Sequence, residues 1–149
     1  MNSLPVIQNI LFIDIETVPQ YGDYADVPPR MKKLWDKKCE NFKEDKMPYE
    51  FYDRAGIYSE FGKIVCICCG YFDNDQVYNE AEFYGHDEKA ILISFKELIS
   101  SKFYLNTKVL CAHNGKEFNF PYISRRMLIH GISLPSMLEI AGKKPWEVR

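Results

Sequence analysis

The sequence predicts an α/β fold in which a mixed β-sheet is flanked by helices. Short apolar segments rich in Ile, Val and Phe, each followed by turn residues, are typical of buried strands. Between them lie segments whose apolar residues recur at helical spacing. With 149 residues and 46% hydrophobic side chains, the chain has the size and composition of one packed domain. We therefore expect a single domain over residues 1–149.

The first strand is predicted at residues 10–19, ILFIDIETVP, because a continuous apolar run ends there in Val-Pro. Several Pro and Gly residues then indicate an irregular loop. In the following RMKKLWDKKCENF, Met31, Leu34 and Trp35 recur at helical spacing with lysines opposite, which predicts a charged amphipathic helix. Loop and helix together are interpreted as an insertion over residues 19–60, before the second strand.

The rest of the chain alternates strands and helices. In chain order we predict a strand at 61–72, a strand at 76–85, a helix at 86–102, a short strand at 107–114 and a helix at 118–131. The turn sequence Asp-Asn-Asp between the first two of these predicts an antiparallel hairpin. Asp87 is a plausible N-cap of the first helix, whereas Pro121 suits the first turn of the second and Gly131 its C-cap.

Composition narrows the function classes. The formal net charge of −2 gives no global basic field, so a polyanionic partner requires a local basic patch or bound cations. No apolar run approaches the about 18–20 residues that cross a bilayer, and the first residues lack the pattern of a signal peptide. Five cysteines without an export signal favour reduced thiols. We expect a cytoplasmic protein that does not bind membranes.

A Cys-x-x-C pattern, Cys66 to Cys69, lies within the second predicted strand. A redox motif of this type belongs at the N-terminus of a helix, and no Cys/His spacing matches a zinc finger. We therefore expect these cysteines to be buried thiols that act as small apolar residues.

Two carboxylates interrupt the first predicted strand. Asp14 and Glu16 are two residues apart, so in a strand their side chains project to the same side. In an apolar setting near the end of a strand they would repel each other and lose hydration, a cost that a divalent cation removes. Oxygen ligands favour Mg²⁺ or Mn²⁺. The alternative is that both carboxylates lie just past the strand, solvated or capping a turn.

Two segments resemble a known family. FIDIET, residues 12–17, is similar to the first motif of the DEDD 3′–5′ exonucleases, and HNGKEFNFPYISRR, residues 113–126, is similar to the second. The closest resemblance is to bacterial proteins related to the proofreading exonuclease domain of family-B DNA polymerases, from about residue 10 to the end. It implies an RNase H-like sheet and two-metal hydrolysis at a free 3′ end of a nucleic acid, with single-stranded DNA as the expected partner.

The resemblance also implies roles for individual residues. Asp14 would bridge two Mg²⁺ or Mn²⁺ ions, Glu16 would ligate the first of them, and Asn119 stands where the family has its third acid. The expected substrate contacts are Thr17 and Val18 around the terminal nucleotide, Asn114 beside it, and Phe118 packed beneath the site.

The chain departs from the family pattern in two places. Asn119 preserves the shape of the family's aspartate but not its charge, which should weaken the second cation most. The last motif requires a fourth aspartate, and no Asp follows Asp87. We therefore expect a C-terminally incomplete fold, the N-terminal part of a longer exonuclease, with little activity of its own.

Two other functions remain open at this point. One is a non-catalytic nucleic-acid-binding module that retains the fold. The other is a haloacid-dehalogenase-type phosphatase with Asp14 as nucleophile, which is a distant alternative because that chemistry needs an Asp-rich cluster downstream.

Overall fold

The fold is a four-stranded mixed sheet flanked by helices, seen in a computed structural model that describes residues 6–103 and 107–139. The strands are β1 (Ile10–Pro19), β2 (Gly62–Phe72), β3 (Tyr78–Tyr84) and β4 (Val109–Cys111), and the helices are α1 (Pro29–Cys39), α2 (Glu88–Lys102) and α3 (Asn119–Ile129). The strand order is β3-β2-β1-β4, with β1 antiparallel to β2, β2 antiparallel to β3, and β4 parallel to β1. The predicted α/β class and the hairpin are confirmed.

The main core lies on one face of this sheet. Leu11, Ile13 and Ile15 of β1 are buried there together with apolar residues of α2 and α3. The intervening residues of β1 project to the other face, where Phe12, Asp14 and Glu16 are exposed. The strand is therefore central, as its apolar sequence predicted, but it is buried on one side only.

The insertion builds a second core around Trp35. This side chain is fully buried, and its indole nitrogen donates a hydrogen bond to the Pro48 carbonyl at 2.8 Å. A 3-10 segment at Pro48–Ile57, which the sequence analysis did not predict, contributes Phe51 and Tyr52 to the same core. Leu34 was expected on the apolar face of α1, but it is 50% exposed. That expectation was wrong.

Tyr122 of α3 joins the insertion to the sheet. Its hydroxyl donates a hydrogen bond to the Gly56 carbonyl at 2.7 Å, and burial raises its pKa to about 12, so the donor stays protonated. The close approach requires glycine at position 62, because a Cβ there would lie 2.3 Å from the Tyr122 hydroxyl. Gly56 in turn packs against the backbone of Val18, so the insertion rests on the second half of β1.

A buried ion cluster ties α2 to α3 and β2. The Glu88 carboxylate accepts hydrogen bonds from Arg126, from the Ile64 amide at 2.7 Å and from His130 at 2.7 Å. Burial alone would raise the pKa of Glu88, but these hydrogen bonds outweigh it and hold the pKa below its ordinary value. Arg126 is only 2% exposed, so its guanidinium serves this buried cluster and is not available to a ligand at the surface.

Candidate functional site

Asp14 and Glu16 lie in the middle of β1, on the open face of the sheet. Their Cα atoms are about 6.6 Å apart, the spacing of residues i and i+2 in a strand. Both side chains are exposed, so the expectation of an apolar setting at the end of the strand was wrong. A register shift between Glu16 and Thr17 interrupts the pairing with β2, which skips Val65 and then continues to the end of β1.

The pairing register defines which residues share this open face. Across β1, β2 and β3 the rows are Phe12–Gly70–Glu80, Asp14–Cys68–Glu82 and Glu16–Cys66–Tyr84. We call these nine positions the open-face grid. The grid carries four carboxylates and neither Lys nor Arg. Such a surface attracts cations, since neighbouring like charges are relieved by a counter-ion.

Asn119 is the side chain that meets Asp14 from outside the sheet. It is the first residue of α3, it is 2% exposed, and its Nδ2 donates a hydrogen bond to Oδ1 of Asp14 at 3.4 Å. The same Asp14 oxygen accepts the Ile15 amide at 3.0 Å. The predicted proximity of Asp14 and Asn119, which are 105 positions apart in sequence, is therefore observed.

The loop before α3 shapes a cleft beside this pair. Asn114 has a positive φ of 51°, and its carbonyl accepts the Phe118 amide at 2.9 Å, which turns the chain into the helix. The cleft has a volume of about 680 Å³. Its lining consists of Asp14, His113, Asn114, Phe118 and Asn119.

The other predicted site residues lie elsewhere. Glu16, Thr17 and Val18 do not line this cleft, although Glu16 shares the open face with Asp14. Thr17 is partly buried next to the Tyr122 hydroxyl, and Val18 packs on Gly56 of the insertion. The structure thus brings together four of the predicted residues, with Glu16 close by on the same strand.

A second cleft of about 400 Å³ opens on the other side of Asp14. It shares Asp14 and His113 with the first cleft, and it also contains Cys68, Glu82 and Cys111. Sequence reasoning did not place Cys68 and Glu82 at the site. The alternation within β2 and β3 would have put them on one face, but only the pairing register shows that this face includes Asp14.

The cysteines of β2 are only partly as expected. Cys69 is buried, and burial raises its pKa to about 12, as for an inert core thiol. Cys66 and Cys68 instead project to the open face, with their sulfur atoms 3.5 Å apart. Partial burial, the contact with Cys66 and the nearby carboxylates raise the pKa of Cys68 to about 11. The expectation of buried thiols was wrong for this pair because the sheet is covered on one face only in the part of the chain described.

The donor set at Asp14 fits a hydrated ion better than a protein cage. Within residues 6–103 and 107–139, no three His, Cys, Asp or Glu side chains are gathered to hold one metal ion. Asp14 and Glu16 alone are compatible with Mg²⁺, which keeps several waters and is commonly bound by one or two carboxylates together with substrate phosphates. A second ion would have fewer protein ligands, because Asn119 is uncharged.

Among the helices described, none is long and apolar enough to cross a membrane.

Comparison with known proteins identifies a distant structural neighbour. No family model matches the sequence, and no curated protein matches it. The family B DNA polymerase from the hyperthermophilic archaeon Pyrobaculum calidifontis is similar in structure, with 17% sequence identity and a TM-score of 0.46. The match covers 90% of this chain and 13% of the polymerase chain.

Proposed function

We propose that the chain is a 3′–5′ exonuclease-like protein that acts on single-stranded DNA with a free 3′ end, with weak activity. The observation that carries the proposal is the contact between Asp14 and Asn119 on the sheet face that also bears Glu16. Asp14 and Asn119, which are far apart in sequence, meet beside an open cleft, and Glu16 lies two residues from Asp14 on the same strand. Carboxylates placed in this way can hold a divalent ion of the kind that promotes phosphodiester hydrolysis.

Each residue of the site has a separate role in the proposed reaction. Asp14 and Glu16 hold Mg²⁺ or Mn²⁺, and a bound ion of this type activates water and neutralises charge on the phosphate. Asn119 fixes the orientation of the Asp14 carboxylate through its amide. Asn114 and Phe118 line the cleft in which the terminal nucleotide would lie.

The charge of the site explains why we propose weak activity. Asn119 leaves the Asp14 carboxylate without an acidic partner at the start of α3, and no third acidic ligand is gathered there among the described residues. Two carboxylates suffice for one hydrated ion, but two-metal hydrolysis needs a second ion close to the first.

A nuclease assay tests the proposal. The substrate is 5′-labelled single-stranded DNA with Mn²⁺, and we expect slow shortening from the 3′ end that a 3′-phosphate block delays. Asp14→Asn should abolish the reaction, and Asn119→Asp should accelerate it. Glu80→Gln is the matched control, since Glu80 is a carboxylate of the open-face grid that lies opposite Gly70 rather than beside Asn119. Cleavage that survives in Asp14→Asn, or no cleavage by Asn119→Asp, would contradict an active exonuclease site.

A non-catalytic nucleic-acid-binding module is the second candidate. It is favoured by the Asn119 amide, which already donates to the Asp14 oxygen that an ion would need. Fluorescence anisotropy with labelled single-stranded DNA in EDTA separates the two functions. Binding that is unchanged by EDTA and by Asp14→Asn, without cleavage, supports the module and contradicts the enzyme.

All five cysteines are free thiols, which supports a reducing, cytoplasmic location as part of the same proposal.

A further inference from the structure

The paired thiols of β2 have no role in the proposed reaction. Cys66 and Cys68 occupy adjacent rows of the open-face grid, with 3.5 Å between their sulfur atoms. Cys68 also lines the second cleft, so it is accessible from solvent. β2 pairs with β1 on one side and with β3 on the other, so its backbone is fixed. The two thiols are therefore held close together before any ligand binds.

The geometry of the pair disfavours a disulfide. A disulfide needs sulfur atoms about 2.05 Å apart and Cα atoms usually about 4.4–6.8 Å apart. Residues i and i+2 of a strand have Cα atoms about 6.6 Å apart, near the upper limit, and the sulfur atoms would have to close from 3.5 Å to about 2.05 Å for the bond to form. An atom that bridges the two sulfurs requires much less movement.

A tetrahedral metal ion matches the observed separation. Two thiolates that each lie about 2.3 Å from one zinc ion at the tetrahedral angle are about 3.8 Å apart. The sulfurs of Cys66 and Cys68 are 3.5 Å apart, so a change of a few tenths of an ångström, within reach of side-chain rotation, completes the geometry.

The surroundings supply the charge that such an ion needs. Cys68 lies between Asp14 on β1 and Glu82 on β3, and Cys66 lies opposite Glu16. These carboxylates attract a dication and compensate its charge. Among the described residues no third His, Cys, Asp or Glu side chain joins the two sulfurs, so water would complete the coordination. The nearby carboxylates therefore favour a cation here over an anionic or neutral ligand.

We propose that Cys66 and Cys68 form a binding site for a thiophilic divalent cation of the zinc class. Binding forms two metal–sulfur bonds and releases the two thiol protons to solvent. The site differs from the proposed Mg²⁺ or Mn²⁺ position, because sulfur ligands select soft ions and carboxylate oxygens select hard ones.

Cadmium titration of the reduced protein tests this site. Cd²⁺ bound to thiolates gives an ultraviolet charge-transfer band, which we expect to saturate at stoichiometric metal. Cys66→Ser and Cys68→Ser should each weaken the apparent affinity by at least about tenfold. Cys111→Ser is the matched control, since Cys111 is exposed and lines the same cleft as Cys68, and it should bind like the original chain. Absence of the band, or an equal loss in Cys111→Ser, would overturn the proposal.

Two further measurements keep the test independent of folding and of nuclease activity. Thermal unfolding without metal should be nearly the same for the serine variants, because serine has almost the shape of cysteine. Excess Mg²⁺ should leave the cadmium band unchanged. If excess Mg²⁺ removes the band, the site does not select soft ions over hard ones, and the proposed thiophilic site is refuted whatever the nuclease assay shows.

Discussion

Asn119→Asp is the substitution that probes the site most directly. In the present chain the Asn119 amide donates to the Asp14 carboxylate across 3.4 Å. The variant replaces this attraction with two like charges at a similar distance, one of them at position 119, whose side chain is 2% exposed. In the absence of metal the variant should therefore be less stable, and a divalent cation should stabilise it more than it stabilises the original chain.

The magnitude follows from Coulomb's law. Two unit charges at the 3.4 Å separation repel each other by about 5 kcal/mol at an effective dielectric constant of about 20, and by about 1.2 kcal/mol in water. Because Asp14 is exposed and Asn119 is buried, we expect about 2 kcal/mol. For a chain of this length that lowers the midpoint of thermal unfolding by about 4–8 °C.

The assay is thermal unfolding followed by circular dichroism, first in EDTA and then with increasing Mn²⁺. A cation present at a hundred times its dissociation constant raises the free energy of unfolding by about 2.7 kcal/mol, which is enough to offset the repulsion. Asn114→Asp is the matched control, because it makes the same change at an exposed position of the same cleft. If Asn119→Asp is as stable as the original chain in EDTA and responds to Mn²⁺ no more than Asn114→Asp does, the two side chains do not share an ion site.

Two other substitutions test the framework that holds the site. Glu88→Gln leaves Arg126 without its buried counter-charge and should cost about 3–5 kcal/mol at neutral pH in urea denaturation. The pKa of Glu88 is depressed in the folded state, so the carboxylate contributes its full stabilisation above the unfolded-state pKa of about 4.3. That stabilisation is lost as the pH falls through the folded-state pKa. The stability of the variant should therefore depend less on pH in this acid range. Gly62→Ala introduces a Cβ 2.3 Å from the Tyr122 hydroxyl and should cost about 1–3 kcal/mol, whereas Gly22→Ala, with no atom within 4 Å of its Cβ, should be neutral in the same measurement. Equal stability of the two alanine variants would show that the Tyr122 contact is not tight.

The order of the strands and helices could be predicted because each element has its own local sequence pattern and capping residues. Asp87 caps α2 by accepting the Ala90 amide at 3.1 Å, and Gly131 follows α3 with a φ of +69°, as the sequence indicated. The 3-10 segment at Pro48–Ile57 was missed because it has no sustained helical period and is held by packing around Trp35.

The site could be predicted only in part. The acidic pair and the start of α3 were identified from two short motifs, and the structure places Asp14 and Asn119 in contact. Which face of the sheet is covered depends on where α2 and α3 pack, and that depends on contacts between residues far apart in sequence. For this reason the exposure of Cys68 was mispredicted.

The neutral residue at position 119 has a physical reason within the described part of the chain. The open-face grid already carries four carboxylates without a basic residue, and a fifth acid at a nearly buried position would add repulsion that only a bound cation relieves. An amide at this position keeps the fold stable without metal, because it donates to Asp14 instead of repelling it. The same exchange removes the charge that would hold a second cation. Stability without metal and strong two-metal binding are thus opposed at one side chain, so Asn119→Asp should gain metal affinity and lose metal-free stability together.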